Sequence, residues 1–206
     1  MADASTIPPK LSKVLAIITG HLRREDILFG LIGAMARAVY GFPRYTSDID
    51  LAAEGRQADR IRMILEKLGY RCFQMTRNFG QFDSELGVLG KIDLLFLSTP
   101  EGIRMLESRA AVQDDVFGEV DVIQPTDYII LKLMAIANNP DRTAGDEADI
   151  VSVLKASEKG QIRSEFDEID RNKILNLAER FRQTARMERL LKTTTGKPKA
   201  KGMLFL

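Results

Sequence analysis

The sequence predicts an α/β (α+β) fold, with a small mixed β-sheet flanked by helices and followed by a helical C-terminal part. Short apolar segments bounded by charged residues or glycine alternate with segments of helical periodicity as far as Pro125. Beyond that proline, helical periodicity predominates. With 206 residues, 45% of them hydrophobic, the chain can form one packed core domain with a smaller helical part.

The first part of the chain predicts alternating helices and strands. Apolar residues three and four positions apart indicate helices, whereas short continuous or alternating apolar runs indicate strands. The segment 91–97 is the clearest strand, because from Ile92 onward its residues are apolar except for one acid, Asp93. The predicted helices are 10–24, 34–40 and 56–68; the predicted strands are 27–32, 48–52, 70–76, 82–88 and 91–97, with a hairpin over 111–123 that turns at 117–119.

The second part predicts helices only. A helix is expected over 126–137 with Thr126 as its N-cap, because a threonine before an apolar run satisfies free backbone N–H groups. Another is expected over 146–155, and one or two more between 161 and 192. We therefore predict a core over residues 1–124, a helical region over 125–192, and a mobile tail over 193–206, which is rich in Thr, Gly, Pro and Lys.

Composition narrows the functional classes. Thirty basic against twenty-nine acidic residues give a net charge of +1, which argues against a surface that grips nucleic acid throughout. The single cysteine, Cys72, cannot form an internal disulfide, so a reducing, cytoplasmic setting is expected. No apolar run approaches the roughly 18 residues that span a bilayer, so no membrane is expected as a partner.

Asp48 and Asp50 are the strongest chemical signal in the chain. Side chains alternate along a strand, so these two carboxylates share one face while Ile49 and Leu51 take the other. Their Cα atoms would lie roughly 6.6 Å apart, close enough for a shared cation. Because two like charges so close repel each other, the pair predicts a divalent metal site.

Two further features suit such a site. Gly33 ends the predicted strand 27–32 and precedes a helix, a setting in which a phosphate can approach free N–H groups, including that of Ala34. Asp93 lies between Ile92 and Leu94, where an unpartnered carboxylate would be costly. Three carboxylates beside a phosphate-binding turn predict two-metal phosphoryl transfer, with Asp93 as general base.

These residues carry a family resemblance. Gly33–Ala34, thirteen intervening positions, the segment 48–51 and a distant acid on a strand, Asp93, resemble the DNA polymerase β-type nucleotidyltransferase superfamily. Segments 32–51 and 127–149 are similar to a minimal bacterial branch that includes the AbiE-type (type IV toxin–antitoxin) nucleotidyltransferase toxins. One position departs from the pattern, since the superfamily usually has serine or glycine where this chain has alanine after the glycine.

The resemblance, which covers about residues 10–155, implies a magnesium- or manganese-dependent transfer of a nucleoside monophosphate from a nucleoside triphosphate to an acceptor hydroxyl. It implies RNA (such as a tRNA end), a protein or a small molecule such as an aminoglycoside as the acceptor, and a cognate antitoxin as partner. The implied catalytic and metal-binding residues are Asp48, Asp50 and Asp93; the implied nucleotide-binding residues are Gly33, Ala34, Arg44, Thr46, Ser47 and Lys132.

Other interpretations stay open at this point. The paired acids could be a solvated strand end in contact with Arg37 or Arg44, and Lys132 could merely extend its ammonium along an apolar stem. Basic residues between 180 and 201 could follow an RNA backbone, although interspersed Glu179 and Glu188 favour a solvated helix face. A second functional hypothesis is a non-catalytic, nucleotide-sensing or partner-binding module. A glycosyltransferase is a poorer fit, because it leaves the glycine turn and the third acid unexplained.

Overall fold

The computed structural model describes residues 9–84 and 89–194. The chain divides into two compact units, one formed by Met1–Tyr128 with Ile162–Asp167, the other by Ile129–Gln161 with Glu168–Leu206. No helix in the described part combines the length and apolar character needed to cross a membrane.

The first unit is a mixed α/β structure, as the sequence predicts. In its described residues, seven strands form one sheet in the order β3-β4-β5-β2-β1-β7-β6, with parallel pairing of β1 with β7 and of β2 with β5. The other neighbours are antiparallel. The helices are α1 (Pro9–Arg24), α2 (Gly33–Tyr40), α3 (Ala58–Lys67) and α4 (Pro100–Glu107); the strands are β1 (Phe29–Leu31), β2 (Asp48–Glu54), β3 (Tyr70–Met75), β4 (Phe79–Ser84), β5 (Lys91–Leu97), β6 (Ala110–Asp114) and β7 (Gly118–Val122).

The sheet has two different faces at its centre. On β2 and β5, the side chains of Ile49, Leu51, Ile92 and Leu94 are fully buried, so this face belongs to the hydrophobic core. The alternate positions 48, 50, 91 and 93 carry polar side chains that are half-buried or exposed. Because alternation on a strand sends neighbours to opposite faces, burial of one set holds the polar set on the other.

The second unit is helical. Helix α5 (Pro125–Asn138) begins in the first unit and continues into the second, where it is followed by α6 (Thr143–Glu158), α7 (Arg171–Arg180) and α8 (Thr184–Thr194). Asp170 caps α7, because its carboxylate accepts a hydrogen bond from Lys173 N at 2.8 Å. Two helices thus occupy the segment in which one or two were predicted.

Several predicted boundaries need correction. Helix α5 starts at Pro125, so Thr126 lies in its first turn and is not the N-cap; proline fits the first helical position because no N–H bond is needed there. Strand β4 starts at Phe79, three residues before the predicted start. The rest of that predicted strand, residues 85–88, lies outside the described residues. In the predicted tail, residues 193 and 194 end α8 and residues 195–206 are not among those described.

Helix α4 is absent from the sequence prediction, although its start carries a recognisable signal. Thr99 precedes Pro100, and the threonine hydroxyl accepts a hydrogen bond from Gly102 N at 3.1 Å. Threonine at the N-cap followed by proline is a common helix start. The helix is only eight residues long, so its apolar periodicity covers barely two turns.

Candidate active site

Strands β2 and β5 bring the predicted acids to one face of the sheet. Asp50 is paired with Asp93 in the parallel ladder, and Asp48 is paired with Lys91. Residues paired in register share a face, so Asp48, Asp50 and Asp93 lie on the same side of two neighbouring strands. All three are half-buried. Because β5 lies between β4 and β2, Asp93 is on a central strand and not at the edge of the sheet.

Gly33 lies directly against the carboxylate of Asp50. A Cβ atom built on Gly33 would stand 1.9 Å from Asp50 Oδ2, so any side chain there would have to displace that carboxylate. The glycine also has a φ of +62°, which other residues rarely adopt. Next to it, Ile32 N donates a hydrogen bond to the backbone oxygen of Asp50 at 3.0 Å. The strand-to-helix turn therefore packs against the middle of β2.

Helix α2 starts at this turn and presents its first N–H groups beside Asp50. Its N-cap, Ile32, makes no side-chain capping bond, and Ala36 N donates to Ile32 O at 3.3 Å. An α-helix leaves the N–H groups of its first turn without partners inside the helix, and its dipole favours an anion there. Gly33 and Ala34 thus supply N–H groups of the kind that bind phosphate.

The other end of α2 is fixed by Tyr40. Its hydroxyl donates a hydrogen bond to Ile123 O at 2.5 Å, and its ring packs edge-on against Phe166 with a centroid distance of 4.8 Å. Burial raises the pKa of Tyr40 well above its usual value, and the nearby Tyr128 and Asp127 raise it further. Since this tyrosine stays protonated, it can keep donating the bond that anchors the helix.

The loop before β2 contains three of the predicted nucleotide-binding residues. Thr46 is buried, and its Oγ1 contacts both the backbone oxygen and N–H of Asp48, at 3.1 and 3.2 Å. Ser47 Oγ donates to Asp48 Oδ1 at 3.1 Å, whereas Arg44 is exposed. The two hydroxyls therefore position Asp48, and contact with a nucleotide stays a prediction for all three residues.

Two polar residues on this face were missed by the sequence analysis. Gln81 on β4 is paired with Asp93, and its Nε2 donates a hydrogen bond to Asp93 Oδ1 at 3.0 Å. Lys91 stands opposite Asp48. Alternation could have indicated Lys91, which precedes Asp93 by two residues as Asp48 precedes Asp50. Gln81 could not be found this way, because its place depends on the β4–β5 register.

Oxygen ligands are brought together on this face without forming a complete metal site. In the described residues, no group of three or more His, Cys, Asp or Glu side chains is placed to hold a metal ion. The donor chemistry nevertheless suits magnesium or manganese, which prefer carboxylate oxygens. The three acids share a face, and Asp50 also lies against Gly33, so a shared ion would require adjustment of side-chain rotamers.

Lys132 belongs to the second unit, where it forms a buried ionic cluster. Its Nζ lies 2.7 Å from Asp146 Oδ1 and 2.9 Å from Asp149 Oδ2. Arg142 Nε contacts the other oxygen of Asp146 at 3.0 Å. The ammonium therefore does not extend outward along an apolar stem to bulk water, as one interpretation held. Its predicted contact with a nucleotide stays a prediction.

Comparison with known proteins gives the fold. No protein-family model and no curated protein matches the sequence. Among solved structures, the chain is similar to ANT(2'')-Ia in complex with adenylyl-2''-tobramycin, with 16% identity, a TM-score of 0.57, and coverage of 84% of this chain and 98% of that one. It is also similar to an antigenic nucleotidyltransferase-like protein from Paracoccidioides brasiliensis, with 15% identity, a TM-score of 0.52, and coverage of 89% and 92%.

The chain has a nucleotidyltransferase fold. In this fold, the pairing of Asp50 with Asp93 and the turn at Gly33 occupy the middle of the mixed sheet. The predicted fold class is thereby confirmed. At this level of identity the likeness concerns the fold alone.

Proposed function

We propose that this protein is a magnesium- or manganese-dependent nucleotidyltransferase, which transfers a nucleoside monophosphate from a nucleoside triphosphate to an acceptor hydroxyl. The observation that carries the proposal is the pairing of Asp50 with Asp93 beside Gly33, at the start of α2. Two carboxylates next to a phosphate-binding helix start combine a cation site with an anion site. Phosphoryl transfer requires that combination.

Different residues of the first unit would bind the triphosphate and the metal ions. The N–H groups of Gly33 and Ala34 would hold phosphate oxygens at the helix start, and Arg44 would add a positive charge from the loop. Asp48, Asp50 and Asp93 would hold one or two divalent ions through carboxylate oxygens. When bound, such ions neutralise the charge that develops on the transferred phosphoryl group.

Chemistry at this face is a displacement at the α-phosphorus. The acceptor oxygen forms a bond to that phosphorus, while the bond to the bridging oxygen of the departing pyrophosphate breaks. Asp93 would act as the general base and accept the proton from the acceptor hydroxyl. Positioning and charge neutralisation supply most of the rate enhancement.

The acceptor class is the finer part of the proposal. The AbiE-like sequence pattern supports an RNA acceptor such as a tRNA end, a toxin role in the cytoplasm, and a cognate antitoxin. The similarity to ANT(2'')-Ia, solved with an adenylylated aminoglycoside, supports a small-molecule hydroxyl. Labelled ATP, GTP, CTP and UTP should therefore be offered separately with tRNA, with protein and with aminoglycosides, and each acceptor examined for a covalent nucleotide label.

The decisive experiment removes the charge of Asp50 without changing its shape. Asp50→Asn should lower pyrophosphate release at least about 100-fold, because one ligand and one negative charge are lost at the site. Asp59→Asn is the matched control, since Asp59 is exposed on α3. Thermal unfolding of both variants checks that each remains folded.

Two results would overturn this proposal. One is an Asp50→Asn variant that keeps full activity. The other is metal-dependent binding of triphosphates by the unmodified protein without pyrophosphate release in the presence of any of the three acceptor classes. The second result would favour the non-catalytic, nucleotide-sensing module.

A further inference from the structure

A row of polar side chains crosses three neighbouring strands at the candidate site. Gln81 on β4 is paired with Asp93 on β5, and Asp93 is paired with Asp50 on β2. Since paired residues share a face, the three side chains stand next to one another across the sheet. Gln81 Nε2 donates to Asp93 Oδ1 at 3.0 Å, and this contact joins two half-buried groups.

We propose that Gln81 is the positioning residue for Asp93, an inference that rests on the proposed transferase function. The terminal torsion of an aspartate is broad, so the carboxylate plane is poorly fixed by rotamer preference alone. A hydrogen bond from the neighbouring strand limits that torsion. Gln81 thereby sets the direction in which Asp93 presents its oxygens to a cation or to an acceptor hydroxyl.

The chemistry of an amide suits this task better than that of a charged side chain. Lysine or arginine in place of Gln81 would pair with Asp93 and compete with a divalent ion for its negative charge. Glutamate would place a second carboxylate directly opposite the first, where like charges repel. A glutamine donates a hydrogen bond to the carboxylate and leaves the net charge of the site unchanged.

The neighbouring strand provides a matched comparison. Gln74 on β3 is paired with Gln81, so the two glutamines lie in the same row, one strand apart. Gln74 is exposed, whereas Gln81 is half-buried and contacts Asp93. A substitution that acts only through the general stability of this sheet edge should affect both positions, whereas loss of positioning should affect Gln81 alone.

The test replaces each glutamine by methionine, which keeps the length of the side chain and removes the donor. Manganese(II) binding is measured by electron paramagnetic resonance in the presence of a non-hydrolysable nucleoside triphosphate analogue, and turnover is measured separately. We expect Gln81→Met to weaken manganese binding by about 10- to 100-fold and to lower kcat, with little change in the KM for the triphosphate. Gln74→Met should match the unmodified protein in both measurements.

The outcomes separate this inference from the function on which it rests. If the unmodified protein neither binds manganese nor transfers a nucleotide, the proposed function fails and the inference fails with it. If the unmodified protein does both and Gln81→Met does them equally well, only the role of Gln81 is overturned. Equal losses in Gln81→Met and Gln74→Met, with lowered melting temperatures, would likewise overturn positioning in favour of a general effect on the sheet.

Discussion

The carboxylate of Asp50 occupies the space in which a side chain at position 33 would have to stand. A Cβ atom on Gly33 would lie 1.9 Å from Asp50 Oδ2 and 2.5 Å from its Cγ. Two separate features therefore favour glycine at position 33. One is its φ of +62°, and the other is the lack of space for a side chain beside the carboxylate of Asp50. The start of α2, where phosphate could bind, is therefore packed against β2, which carries two of the candidate metal ligands.

Gly33→Ala should accordingly damage the protein more than a glycine substitution without such a contact. Gly69 is the control, because its φ is +87° and nothing lies within 4 Å of an added Cβ. Both substitutions should cost about 1–2 kcal/mol of unfolding free energy through the left-handed backbone. Only Gly33→Ala must also displace Asp50, so we expect its transferase activity to fall at least about 100-fold.

Urea denaturation and pyrophosphate release measure the two effects separately. Equal activity in the Gly33→Ala and Gly69→Ala variants would show that the contact with Asp50 has no bearing on the reaction.

The ionic cluster around Lys132 gives a prediction about stability. The side chains of Lys132, Asp146 and Asp149 are 12%, 5% and 10% exposed, so removal of the ammonium leaves two largely buried carboxylates, of which Asp146 keeps its contact with Arg142. We expect Lys132→Met to lower the free energy of unfolding by about 3 kcal/mol, the lower end of the cost of breaking a buried ion pair, because Arg142 remains beside Asp146. Lys155→Met, at an exposed position of α6, should leave it nearly unchanged.

The same variant tests the nucleotide contact predicted for Lys132. The KM for the triphosphate is measured at a temperature where Lys132→Met is still folded. Stability equal to that of the unmodified protein, together with a raised KM, would contradict the structural role and support the nucleotide contact instead.

The residues that the sequence analysis placed well are those whose signal is local. The spacing of two residues between Asp48 and Asp50 predicts that they share a face of the strand. The position of Gly33 directly after an apolar strand predicts a turn. Asp93 stood out because an acid interrupts an apolar run. Each of these signals lies within a few residues of the chain, so no knowledge of strand pairing was needed.

The role of Gln81 and the existence of α4 could not be predicted from local sequence patterns. A glutamine in a short strand has no unusual neighbour, and its importance arises only when the β4–β5 register sets it opposite Asp93. Helix α4 has a good N-terminal signal at Thr99 but too few turns for its periodicity to be distinctive. Similarly, no local pattern indicates that Lys132 meets acids from the following helix.

Tyr70 on β3 gives a prediction about alkaline pH. The pKa of Tyr70 is raised from 10.0 to about 12, mainly by burial and to a smaller extent by the negative charge of Asp83. Its hydroxyl also donates a hydrogen bond to Leu89 O at 3.4 Å. Since the folded protein holds this proton more tightly than the unfolded chain, the group stabilises the fold fully below pH 10 and loses that contribution as the pH rises through about 12.

Replacing Tyr70 by phenylalanine isolates this contribution, because the ring stays in place and the titrating hydroxyl is lost. The free energy of unfolding is measured by denaturant titration at several pH values for the unmodified protein and for Tyr70→Phe. Between pH 10 and 12 the unmodified protein should lose stability relative to the variant, in addition to any loss that the two share through other groups. Asp83→Asn should shift the transition only partway toward pH 10, since burial is the larger cause. Parallel stability curves for the unmodified protein and Tyr70→Phe would mean that Tyr70 ionises as readily in the folded protein as in the unfolded chain.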